Sequence, residues 1–213
     1  MRRRLGLAGI CLLVACGKPS TVPSVPGVRI SADTTFYDAT GTSPREWLAS
    51  ARRNAAAVGV RVPYLAYTAW STQWSYPSSR VTTSGCAAQN PQVALSVRFT
   101  MPRLVADSAV STEDRLEWLR FMHSLWTHEE GHALRGVHAA AEIRDSLQRI
   151  HSGSCAMLSP ILGEVARSVV EKYTLLQARY DARTQHGARQ GAFIIPVRGA
   201  RLAVDTTYRD TLP

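Results

Sequence analysis

Apolar residues recur along this chain in two periods, and the switch between them divides it. In residues 91–101, Val93, Leu95, Val97 and Phe99 alternate with other positions, the spacing of a half-buried strand. Large residues also fall at even positions in 69–76, at Trp70, Trp74 and Tyr76. Residues 28–37 are β-like around Val28, Ile30, Phe36 and Tyr37, and a turn is predicted at 38–41. Between these runs, Ser43-Pro44-Arg45-Glu46 has the order of a helix start: an N-cap, Pro at the first position and Glu at the third. That helix carries Trp47, Leu48 and Ala51 on one face and is predicted to fade near Asn54. The strands together predict a small antiparallel sheet.

From Ser111 the period becomes helical. Ser111 with Glu113 and Asp114 reads as an N-cap followed by acids in the first turn. Trp118, Phe121, Leu125, His128 and His132 follow at steps of three and four, beside a second stripe of Leu119, Met122, Trp126, Glu129, Ala133 and Val137. This helix is predicted to reach Ile150, with a candidate break at Gly136. A second long helix is predicted from Ser159-Pro160 to about Tyr180, with Ile161, Val165, Val169, Tyr173 and Leu176 on its stripe. The fold class is therefore α+β, a small sheet packed against long helices.

The chemistry sits where the histidines continue the apolar face. His128-Glu129-Glu130-Gly131-His132 is an H-E-x-x-H pentapeptide. Residues four apart share one face of a helix, so the two imidazoles can hold one zinc ion. Glu129, beside the first ligand, is then placed as general base toward a zinc-activated water. A core-facing His pair without a metal would need other buried polar partners.

Composition narrows the setting. Arg2, Arg3 and Arg4 precede a short apolar stretch ending in Leu13-Val14-Ala15-Cys16, which resembles a bacterial lipobox. Residues 1–15 are read as a lipoprotein signal peptide and 16–27 as a lipidated Cys16 with its tether. Residues 28–195 form one zinc-peptidase-like domain, and 196–213 a tail. The expected location is the bacterial cell envelope, with membrane attachment through lipid on Cys16. Removing the three N-terminal arginines takes the formal charge from +9 to +6. No basic run is interleaved with aromatics, so nucleic acid is not an expected partner. With Cys11 in the signal and Cys16 lipidated, Cys86 and Cys155 remain to form a disulfide in an exported chain.

Catalytic zinc sites use three protein ligands. His138 is one candidate for the third, but the glycine expected three residues after the second motif histidine is Arg135, and Gly136 comes one later. On an unbroken helix His138 lies about 9 Å further along the axis than His132. His186, in the polar loop after the second long helix, is the preferred third ligand, with Glu164 and Glu171 as further alternatives. Tyr180 is a candidate oxyanion donor. Asp181 either orients a ligand histidine or terminates the helix.

Four stretches resemble, in order, a bacterial family described as predicted secreted zinc-dependent proteases and catalogued as domain of unknown function 922. They are residues 37–44, Trp74-Ser75-Tyr76, the H-E-x-x-H pentapeptide, and Tyr180-Asp181-x-x-Thr184-x-His186-Gly187-x-x-Gln190-Gly191-Ala192. The resemblance spans residues 30–192. It implies a zincin-like peptidase domain with Zn2+ as cofactor, a protein or peptide substrate, the Cys86–Cys155 pair, and His186 over His138. Two alternatives share the zinc chemistry: a zinc-binding envelope module without catalysis, and a zinc amidase acting on peptidoglycan.

Overall fold

The computed structural model describes residues 22–61, 63–106 and 110–195. The signal segment, Cys16, part of the tether and the tail from 196 lie outside the described residues. No described helix is long and apolar enough to cross a membrane.

Among the described residues the chain is α+β, with two small sheets and three helices. In order it forms β1 (Val28–Gly41), α1 (Pro44–Ala57), β2 (Tyr67–Ser75), β3 (Ser78–Thr82), β4 (Gly85–Gln89), β5 (Gln92–Ala106), α2 (Thr112–Arg149), β6 (His151–Ser152) and α3 (Cys155–Thr184). A 3-10 turn, Ala188–Gln190, follows. The first sheet has the order β1-β5-β2 and the second β3-β4-β6.

The first sheet is mixed, which corrects the antiparallel expectation. β5 pairs antiparallel with β2 but parallel with β1, from Val28 opposite Val93 to Gly41 opposite Ala106. Alternation reports which face of a strand is buried and is blind to strand direction. Parallel partners need a long crossover, and the segment between Gly41 and Gln92, with α1 and three strands, supplies it. β1 therefore runs straight through the turn expected at 38–41. The β3–β4 hairpin was not anticipated either; its strands are short, and β3 is polar and almost wholly exposed.

The core lies between the first sheet and α2. Val93, Leu95, Val97, Phe99 and Met101 alternate along β5 and are all buried, as expected for its first four. From α2 come Trp118, Phe121, Leu125, Val137, Ile143 and Leu147. Ser111 caps α2 by accepting a hydrogen bond from the Asp114 N–H at 3.1 Å. α2 runs unbroken past Gly136. A Cβ there would stand 2.7 Å from Cγ of Trp70, so this glycine lets β2 approach the helix rather than ending it. α1 begins at Pro44 as predicted, though its N-terminal contact comes from Glu46. The Ser43 side chain makes no capping bond, while the Glu46 carboxylate accepts from the Thr42 N–H at 2.7 Å.

α3 is longer than predicted at both ends. It starts at Cys155, after Ser154, and Pro160 lies inside it. Its buried stripe is accordingly Leu158, Leu162, Ala166 and Val169, offset from the predicted one. Cys155 is bonded to Cys86 of β4, with a Cα–Cα distance of 5.1 Å. Closing a loop of 69 residues stabilises by about 4 kcal/mol in the chain-entropy account. Replacing both cysteines by serine should lower the urea unfolding free energy by about that amount; a loss below about 1 kcal/mol would contradict this role.

Candidate metal centre

His128 and His132 are one helical turn apart on the buried face of α2, at 4% and 8% exposure. α3 lies against this face and carries Gln177, Asp181 and Thr184, residues spaced to share one side of that helix. Asp181 Oδ1 is 3.2 Å from His128 Nε2 and 2.9 Å from His132 Nε2. Ligand atoms of His128, His132 and Asp181 all lie within 4.8 Å of one another, close enough to hold a metal ion.

His186 reaches the same oxygen from the other side. α3 ends in three successive left-handed residues, Gln185 (φ 51°), His186 (φ 51°) and Gly187 (φ 83°). For the two non-glycine residues this backbone costs about 1 kcal/mol each. The turn folds His186 back over the last turn of α3, with its N–H bonded to the Asp181 carbonyl at 2.9 Å. Its Nδ1 is then 3.5 Å from Asp181 Oδ1, and its Nε2 is 3.0 Å from Oη of Tyr64. His186 is more exposed than the other two histidines, with 41% of its side chain accessible.

The outer faces of the buried imidazoles are fixed by glutamines. Oε1 of Gln190 is 3.0 Å from His128 Nδ1, and Oε1 of Gln177 is 3.2 Å from His132 Nδ1. A carbonyl oxygen accepts, so each Nδ1 carries its proton and each Nε2 is directed at Asp181. Two bare Nε2 atoms and a carboxylate oxygen at these distances repel unless a proton or a shared cation lies among them. The donor chemistry therefore fits a metal ion, and the glutamines supply the orientation that metal-ligating histidines need.

Glu129 lines the same cleft and reaches β2. It is 3% exposed, and its Oε2 accepts a 2.6 Å hydrogen bond from Thr68. Burial pushes its pKa up, against the opposing pull of the Thr68 hydroxyl and the two histidines. Burial also opposes charge on His128, yet Asp181, Glu129 and Gln190 together raise its pKa. Asp181 is held well below the usual carboxylate range, since hydrogen bonds and charge from His128 and His132 outweigh its burial.

Tyr180 is not brought to the cleft. Its ring stacks on His128 with centroids 5.1 Å apart, and Arg135 covers it at 3.8 Å. Its hydroxyl donates to the His128 carbonyl at 3.2 Å and interacts with Gln190. Gly131 makes room for it: a Cβ there would fall 2.1 Å from that hydroxyl. Tyr180 thus supports His128, and its hydroxyl is spent. His138 is exposed on the continuing helix, away from the cluster. Glu164 and Glu171 are exposed on α3, Glu164 paired with Arg167. Sequence reasoning missed Thr68, Gln177 and Tyr64, and weighed Asp181 only as an orienting or terminating residue. The signal for Asp181 was the four-residue step from Gln177, which continues a polar face on α3 opposite the histidines.

The cluster opens into a cleft of about 1020 Å³, lined by His128, Glu129, His132, Asp181, His186, Tyr64 and residues of α1 and its following loop. Fold and cluster define an α+β domain with a buried His–Asp centre able to hold a metal, beside a buried glutamate. The chain belongs to the family described as "Bacterial protein of unknown function (DUF922)", whose profile matches residues 34–187. No curated protein and no solved structure matches it.

The electrostatics predict opposite pH responses with and without metal. His128, with a raised folded pKa, contributes stability that is full below its ordinary value of 6.5 and is lost as pH rises through the folded value. Glu129, also raised, acts in the same sense above its ordinary 4.5. Asp181, depressed, contributes fully above its ordinary 3.8. Metal-free protein should therefore lose stability from this cluster as pH rises from about 5 to 8. Bound metal replaces the protons, so its stabilisation should grow over the same range. Tm against pH, with and without chelator, tests this; parallel curves would contradict it.

Proposed function

We propose that this chain is an exported zinc metallopeptidase, lipid-anchored at Cys16 in the bacterial cell envelope, which hydrolyses peptide bonds with Glu129 as general base. The observation that carries the reading is the convergence of His128, His132 and His186 on one oxygen of Asp181, beside a buried Glu129 in an open cleft. The envelope location rests on the arginine-led apolar segment and the lipobox-like Leu13-Val14-Ala15-Cys16.

Imidazole nitrogens and a carboxylate oxygen suit Zn2+. His128, His132 and Asp181 would hold it, with His186 beside Asp181. When bound, zinc supplies Lewis acidity, acidifying a water in its open position and polarising a carbonyl. The protein's own residues do the rest. Gln190 and Gln177 keep Nε2 of each buried histidine turned to the centre. Thr68 ties down Oε2 of Glu129, leaving Oε1 to take up a proton. Burial raises the Glu129 pKa above the ordinary carboxylate value, which makes it a stronger proton acceptor. Tyr180 and Arg135 stack behind His128 and hold it in place.

Hydrolysis of an unstructured protein by the zinc-loaded chain should fall at least about 100-fold in Glu129→Gln, with zinc retained. Equal hydrolysis by that variant would overturn the mechanism. In the same preparations, Asp181→Ala should lose zinc, read as metal per chain, and His186→Ala should retain most of it. The reverse pattern would make His186 the third ligand.

A further inference from the structure

Two exposed arginines stand in the lining of the cleft. Leu48 and Arg52 are one turn apart on α1, Arg61 follows in the next loop, and all three line the cleft. Arg103, Arg120, Arg144 and Arg167 elsewhere in the fold each face a carboxylate. Arg52 and Arg61 make no such pair among the described residues. The acids lining the cleft are Glu129 and Asp181, and both are engaged, with Thr68 and with the histidines. No carboxylate of the cleft is free to neutralise the two guanidinium groups.

The cleft also has an apolar wall that is held in place. Phe121 and Leu125 come from α2, and Phe193 and Ile194 from the segment after the 3-10 turn. That segment is pinned through its backbone. Arg120 donates to the carbonyls of Gly191, at 2.8 Å, and of Phe193, while Glu117 accepts from the Ile195 N–H at 2.6 Å. Arg120 and Glu117 are also paired with each other, so their charges are used up in the clasp. The wall is thus preformed, and the unspent charge in the cleft is that of Arg52 and Arg61.

We propose that Arg52 and Arg61 form a carboxylate-binding subsite. It selects substrates carrying an acidic side chain or a chain-terminal carboxylate close to an apolar residue. This deepens the peptidase reading and rests on it. A guanidinium matches a carboxylate with a two-pronged, charge-assisted hydrogen bond, and Arg52 and Arg61 are both exposed, so their donors are open to an incoming carboxylate.

The test uses peptides of one apolar sequence, with Glu or Gln inside the chain and a free or amidated C-terminus. Their binding to the zinc-loaded Glu129→Gln protein is measured by fluorescence anisotropy, so that affinity is read without turnover. A carboxylate should tighten binding about tenfold over the neutral peptide. The internal-Glu amide and the Gln free acid separate the two sources. Arg52→Ala and Arg61→Ala should each remove most of that preference. Arg53→Ala, which deletes the same charge one residue along α1 and outside the cleft lining, should leave it intact. Equal binding of acidic and neutral peptides, equal loss in all three variants, or no binding of any peptide would overturn the subsite. Zinc-dependent hydrolysis without charge preference would defeat the subsite alone. Arginine-dependent preference without hydrolysis by the wild type would keep the subsite and defeat the peptidase reading.

Discussion

A carboxylate placed between buried imidazoles constrains everything around it. Asp181, itself partly open to the cleft, meets the buried His128 and His132, and a buried imidazole edge left without a partner is costly. Every polar edge of the group must therefore be met, and two elements of the fold meet them. α3 supplies Gln177 and Asp181, and the left-handed turn beyond it supplies His186 and leads to Gln190. β2 supplies Thr68 to Glu129, which lines the same cleft as the histidines. The helix with the two histidines is thus clasped between a strand and a second helix, each carrying polar partners aimed at it. The apolar contacts along α2 and β5 hold the layers together, and the polar ones fix which residues face each other.

The histidine pair and Glu129 were legible because they interrupt an apolar stripe without breaking its period. Ser111, the run from Trp118 to His132, and the alternation from Val93 to Phe99 all act locally, within a few residues of one another. What escaped was set by partners distant in sequence. The parallel pairing of β1 with β5 depends on the long crossover between them, which has no local sign. Gly136 reads locally as a helix breaker, yet its role is decided by Trp70, which needs the space a Cβ would fill. Ser159-Pro160 has the local form of a helix start, but it is not where α3 begins. The helix instead begins at the disulfide-bonded Cys155 and carries Pro160 in its second turn.

The same division runs through the site. The helical spacing of His128 and His132 puts them on one face whatever the rest of the fold does. No local rule says which of Asp181 and His186 completes the centre, because that depends on where α3 lies against α2 and how its end turns. Tyr180 had the right chemistry for an oxyanion donor and the wrong surroundings. With Gly131 opening a slot beneath it and Arg135 lying over it, the phenol is drawn behind His128 instead of into the cleft.

α3 must also hold its register along α2, since a shift of one turn, about 5.4 Å, would carry Asp181 past both histidines. The helix is fastened near its two ends, which lie about 40 Å apart. At the start, Cys155 is covalently tied to β4, and β4 pairs with β6 just before α3 begins. At the end, Asp181, Gln177 and the turn at 185–187 close on the histidines. Between them lie the buried Leu158, Leu162, Ala166 and Val169, which resist sliding in steps but not in direction. The covalent tie at one end and the polar contacts at the other set the register. The strained turn then brings the last donor back to a centre whose position is already determined. Strain of that kind persists only where the surroundings over-determine the backbone. Here the hydrogen bond from the His186 N–H to the Asp181 carbonyl and the contact with Tyr64 are the groups that do so.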